Sequence, residues 1–134
     1  MKVKLLLVTH EAIGESLLNV AKTTLGNDLP IAVKTIAVAA NADPNTITAR
    51  LQAELDHLSD DKHILILTDL FGATPCNISQ NLKHGNEIKI ISGLNLPMLL
   101  RTLNYAHLPL NELAKKAISG GIEGIKSCSH QEDL

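Results

Sequence analysis

The chain has almost no aromatic residues: Phe71 and Tyr105 are the only two in 134 residues, and tryptophan is missing altogether. The core must therefore be aliphatic. The same scarcity argues against nucleic-acid binding by base stacking, which needs exposed aromatic platforms. Twelve basic and fourteen acidic residues leave a net charge of −2, and no basic run stands out. Phosphate-backbone binding thus has no electrostatic footprint. Cys76 and Cys128 lie far apart, without CxxC or Cys/His spacing, so neither a disulfide framework nor a zinc site is indicated. Long hydrophobic runs are also missing. The stretch LLLV (5–8) ends at Thr9, His10 and Glu11, too short for a signal core or a membrane span. A cytoplasmic protein with no membrane insertion of its own is the expectation.

What is present is a 45% apolar composition in a length that suits one domain, here 1–134 with residues 130–134 a frayed tail. Four segments read as strands buried on both faces: VKLLLV (3–8), IAVKTIAV (31–38), HILILT (63–68) and EIKIIS (87–92). Helical patterns fall between them. Over 13–25, Ile13, Leu17, Ala21 and Leu25 share one predicted face, and Gly26 can end the helix. Asp43-Pro44 is a cap followed by a first-turn proline, and Ile47, Leu51, Leu55 and Leu58 form the stripe behind it. Thr74-Pro75 repeats that signal, a fourth helix starts near Asn95-Leu96-Pro97, and 110–118 reads as a fifth. The alternation predicts an α/β fold, doubly wound, with a mostly parallel four-stranded sheet covered by helices on both faces. The segment IEGIKSC (122–128) is either a short extra strand or a helix end.

In such a sheet, ligands bind beyond the carboxyl ends of the strands, where strand order reverses. Three strand ends carry polar groups: Thr9-His10, Thr68-Asp69, and Ser92-Gly93 with Asn95. The second strand end, AVAANAD, carries nothing reactive. In TDLFGATPCN, Gly72 permits an unusual turn and Thr74 opens a helix whose free N–H groups attract anions. A carboxylate that accepts a proton from histidine Nδ1 fixes the tautomer and leaves Nε2 with its lone pair. It also stabilises the positive charge that the ring gains on attacking phosphorus. The expected roles are therefore His10 Nε2 as phosphoryl acceptor and Asp69 as its orienter. Thr74, Gly72, Thr9 and Ser92 are expected around the phosphoryl oxygens. No metal and no cofactor is required. His57, His63, His84, His107 and His130 have no paired ligands nearby in the sequence and read as bystanders, and Cys76 reads as a buried apolar side chain. Gly14 stands where HExxH needs its second histidine, and no GxxxxGK[ST] occurs.

LLLVTH, ILILTDLFGATPCN and IISGLNLPML, in that order and spacing, resemble the EIIA domain of the mannose family of the bacterial sugar phosphotransferase system. The resemblance implies that His10 accepts a phosphoryl group from HPr and passes it to an EIIB component for sugar uptake, with possible association with a membrane permease complex. It places the family's supporting aspartate on Asp69 and its hydroxyl residue on Thr74. It also implies a homodimer that exchanges an antiparallel C-terminal strand, for which 121–128 is the candidate. The family usually has glycine after the histidine, whereas this chain has Glu11-Ala12, a carboxylate expected to tune partner recognition. With no EIIB domain following Leu134, a separate component is expected, in transport or as a regulatory phosphoprotein reporting the state of the system. A receiver-type domain phosphorylated on Asp69 is the remote alternative. It requires paired acidic residues after the first strand to hold magnesium, where Thr9-His10 stands with only Glu11.

Overall fold

The computed structural model describes residues 3–57, 63–80, 82 and 87–129. The elements follow in the order β1 (Val3–His10), α1 (Ile13–Leu25), β2 (Val33–Val38), α2 (Pro44–Asp56), β3 (His63–Thr68), α3 (Thr74–Gln80), β4 (Glu87–Ser92), α4 (Leu96–Asn104) and α5 (Leu110–Glu123). The four strands are all parallel, in the spatial order β2-β1-β3-β4. The chain leaves β1 toward β2 on one side and returns to β3 on the other. The strand order therefore reverses between the carboxyl ends of β1 and β3.

Alternation along the strands builds two cores. Leu5 and Leu7 of β1 and Leu65 and Leu67 of β3 pack with α1, α4 and α5. Leu6, Val8, Ile64 and Ile66 point the other way, toward α2 and α3. Both cores are aliphatic, as expected: Tyr105 is 37% exposed and Phe71 76% exposed. Among the described residues, no helix is long and apolar enough to cross a membrane.

Only the central strands β1 and β3 are buried over most of their length, with Lys4, His10 and His63 partly exposed. β2 and β4 are edge strands and expose part of their length, so the expectation that all four were buried on both faces fails there. An edge strand has a neighbour on one side only, and the flanking helices do not reach far enough to cover it. The buried face of α1 is also shifted by one position from the predicted stripe. Gly14, Leu18 and Ala21 face the sheet, while Ile13 and Leu25 are exposed and Leu17 is half-buried. Gly14 sets this rotation. A Cβ at position 14 would stand 3.2 Å from Leu7 Cβ and from both branches of Thr9, so the missing side chain lets the helix lie close to β1.

Two predicted caps form as expected. Asp43 accepts from Asn45 N at the start of α2, and Asn95 Oδ1 accepts from Met98 N at 2.9 Å at the start of α4. Asn95 Nδ2 also donates to Gly121 O of α5. The stripe of α2 holds at Ile47, Leu51 and Leu55; Leu58 lies outside the described residues, as do His84, His130 and the tail 130–134. At the C-terminus, Ile122 and Glu123 complete α5, and residues 124–129 form no strand within the single chain.

Candidate functional site

The last residue of β1 and the first residue after β3 meet at the point where the strand order reverses. His10 Nδ1 lies 2.9 Å from Asp69 Oδ2, and the His10 backbone N–H donates to the same oxygen at 3.1 Å. With the carboxylate ionised and the imidazole neutral, this contact makes Nδ1 the donor and leaves the ring's lone pair on Nε2. The exposures of the two side chains differ usefully: the imidazole is 39% exposed, the carboxylate 11%. The ring is open to solvent, while the carboxylate it contacts is largely covered. Asp69 Oδ1 and Thr68 Oγ1 are buried and have no hydrogen-bond partner among the described residues.

Below the pair, strand registers align Val8 with Thr68, and Thr68 with Ser92. Ser92 thus ends β4 two strands across from Val8 and two residues short of His10, roughly 12 Å from it backbone to backbone at ordinary strand dimensions. It borders the crevice without touching the imidazole. Thr9 is 1% exposed and its Oγ1 accepts from Gly14 N at 2.9 Å. Adjacent strand residues point to opposite faces, so Thr9 lies on the α1 side and holds that helix's first turn. This corrects its expected place among the residues around the phosphoryl oxygens.

The loop after Asp69 carries the other expected groups. Gly72 has φ +76°, a conformation that favours glycine, and its carbonyl accepts from Asn77 Nδ2. Thr74 is the first residue of α3 and does not cap it. Asn77 N donates to Ala73 O, which puts Ala73 at the capping position and leaves the Thr74 side chain exposed. Cys76 is buried, as predicted, and Leu70 and Phe71 project into solvent at 58% and 76% exposure. Gly93, at φ +87°, turns the chain so that Leu94 N reaches back to Thr68 O.

The remaining described histidines are elsewhere. His63 begins β3 at the opposite end of the sheet, with Nε2 3.9 Å from Glu87 Oε2. Together with His107 and Glu112 they line a separate cavity of about 340 Å³. His57 follows the end of α2. Among the described residues, no three His, Cys, Asp or Glu side chains converge as metal ligands.

Sequence reasoning missed one contributor. The loop after β2 carries no reactive side chain, yet the Ala40 backbone N–H donates to Glu11 Oε1 at 3.1 Å. A backbone amide leaves no trace in the residue pattern, so no signal in the sequence pointed to it.

The doubly wound parallel sheet thus sets a partly open histidine against a carboxylate at its switch point. Comparison with known proteins makes the class specific. Residues 4–118 match the EIIA-man family model, described as the phosphotransferase system (PTS) fructose IIA component. The chain belongs to that family, the mannose-type IIA components of the sugar phosphotransferase system. It is 29% identical over 130 residues to the PTS system mannose-specific EIIAB component of Escherichia coli K12, covering 95% of this chain and 40% of that protein. The chain thus spans well under half the length of that curated relative. Among solved structures, a phosphotransferase system component EIIA from Streptococcus agalactiae is 31% identical at a TM-score of 0.82, with 93% of this chain and 96% of that one covered. The mannose/sorbose specific IIA subunit from Enterococcus faecalis is 25% identical at a TM-score of 0.86 over the full length of both chains.

Proposed function

We propose that the chain carries a phosphoryl group on His10 Nε2, taken from phospho-HPr and delivered to an EIIB component in sugar uptake. The observation that carries this reading is the Nδ1–Oδ2 contact of 2.9 Å beside an imidazole that is 39% exposed. Asp69 commits one ring nitrogen and leaves the other for in-line attack. As the Nε2–P bond forms, the bond from phosphorus to the donor imidazole breaks and its electron pair returns to that ring. The positive charge gained by His10 is held by the Asp69 carboxylate. Phosphoryl transfer of this kind needs positioning and charge stabilisation more than a separate base. Gly72, the exposed Thr74 hydroxyl and Ser92 border the space for the phosphoryl oxygens.

The same geometry weighs against Asp69 as acceptor. Its side chain is 11% exposed, and one of its two oxygens already takes both His10 N–H groups. The test is incubation with phosphoenolpyruvate, Enzyme I and HPr, followed by acid and base treatment of the labelled chain. An acid-labile, base-stable label that EIIB then removes is expected; an acid-stable, base-labile label would sink the reading.

A homodimer belongs to the same proposal. Ile118, Ile122 and Ile125 leave a run of apolar surface along the end of α5 and just beyond it, at 43%, 65% and 77% exposure, and such a run favours a protein partner. Light scattering on the full chain is expected to give twice the monomer mass. Ile122→Asp with Ile125→Asp should shift it to monomer, and an unchanged mass would place the interface elsewhere.

A further inference from the structure

We propose that Glu11 is a positioning residue for His10: its carboxylate clasps the Ala40 amide and fixes the turn leaving β1 to the loop that follows β2. The proposal rests on the reading of His10 as phosphoryl acceptor and deepens it. The clasp itself is measurable without that reading.

Glu11 has φ +45°, and among the described residues no other non-glycine has a positive φ. An L side chain holds this conformation only where its surroundings dictate it. Two bonds do so here, both to the same short stretch. Glu11 N donates to Val38 O at 3.0 Å, and Glu11 Oε1 accepts from Ala40 N at 3.1 Å. The stretch they grip is itself ordered. Ala42 N donates to Ala39 O, and Asp43 then caps α2.

The register explains why this bears on the imidazole. His10 pairs with Val38 on the last rung between β1 and β2. Its amide and ring are held on the β3 side by Asp69. Glu11 supplies the matching hold on the β2 side, one residue along. Packing does not supply it. Glu11 lines a cavity of about 400 Å³ with Thr9, Glu15, Lys22 and Arg50, so that flank of the turn is not backed by closely fitted side chains. The hydrogen bond between the Glu11 side-chain oxygen and the Ala40 backbone amide is then the contact that sets the position. It also directs the Glu11 charge onto Ala40, away from a role as an unattached repelling group at the mouth of the site.

Three variants of the full chain separate the clasp from backbone strain and from charge. Glu11→Gln keeps an acceptor oxygen and removes the charge. Glu11→Gly relieves the positive φ and removes the clasp. Glu11→Ala removes the clasp and keeps the strain. Two readouts are taken: hydrogen exchange at the Ala40 amide, and the kcat and KM for phosphoryl acceptance from phospho-HPr. Glu11→Gln is expected to stay within about twofold of wild type in both, since the acceptor survives. Glu11→Gly and Glu11→Ala should each raise Ala40 exchange by roughly tenfold, as a locally opened amide does. They should also lower kcat by about fivefold with little change in KM, the mark of a misplaced nucleophile. A Glu11→Gly chain with wild-type Ala40 protection, or with acceptance as fast as Glu11→Gln, overturns the proposal. So does a Glu11→Gln chain that behaves like Glu11→Gly, because charge and not the clasp would then matter. A wild-type chain that takes no label defeats the phosphohistidine reading alone; the Ala40 exchange still decides the clasp.

Discussion

A His10→Ala chain is expected to take up no acid-labile phosphoryl group from phospho-HPr, at any enzyme concentration that saturates the wild type. Removing the ring removes the atom that forms the bond to phosphorus, and no neighbour can replace it. Asp69 is 11% exposed. Thr9 is buried on the α1 side, with its hydroxyl accepting from Gly14 N. The Thr74 hydroxyl is exposed, and an unactivated hydroxyl is a weak nucleophile. Stability should change little, because the imidazole is partly exposed and its side-chain bond is a partly solvated pair, worth about 1 kcal/mol or less. The urea midpoint serves as the control. Loss of label with a preserved midpoint is the predicted pair of results; retained acid-labile label means that another residue is the acceptor.

Asp69→Ala should slow acceptance strongly without unfolding the chain. Asp69 Oδ2 receives the His10 amide and the His10 Nδ1 proton together. Without it, the ring can protonate at Nε2 and turn away, and the charge formed during attack loses its counter-ion. A hydrogen bond to a charged group is worth about 1.5–3 kcal/mol, so the rate should fall about 10- to 100-fold. Asp69 is largely covered and its two bonds to His10 are part-buried, so the alanine variant should melt a few degrees below wild type and remain folded. Asp69→Asn retains an oxygen acceptor but not the charge, and should fall between the two. Full acceptance by Asp69→Ala would remove the orienting role.

Much of this site was legible in the sequence. The aliphatic runs fixed the two central strands, because nothing but burial on both faces explains LLLV and ILIL. Asp43 and Asn95 announced their helices through the cap-then-proline pattern, and both caps form. His10 and Asp69 were paired from their strand ends alone, and they meet at the predicted crevice. The misses have separate physical causes. The α1 stripe was drawn through Ile13 and Leu25, which are hydrophobic, while the contact was set by Gly14, which is merely small. Thr74 has the right side chain for a cap, but the backbone places Ala73 there. Thr9 adjoins His10 in the sequence, but strand alternation sends neighbours to opposite faces, and its hydroxyl holds α1 instead. The Glu11–Ala40 bond was out of reach, since its donor belongs to the backbone and its loop lies 29 residues along the chain. Side-chain chemistry is written in the sequence; close approach and backbone donors emerge only from the fold.

The central claim is that one particular nitrogen of one histidine carries the phosphoryl group. Nuclear magnetic resonance on the chain labelled with nitrogen-15 at histidine, phosphorylated through Enzyme I and HPr, reads that atom directly. The account predicts phosphorus–nitrogen coupling to His10 Nε2, with Nδ1 still protonated toward Asp69. Coupling to Nδ1, to any other histidine, or a phosphorus signal with no nitrogen partner would contradict it.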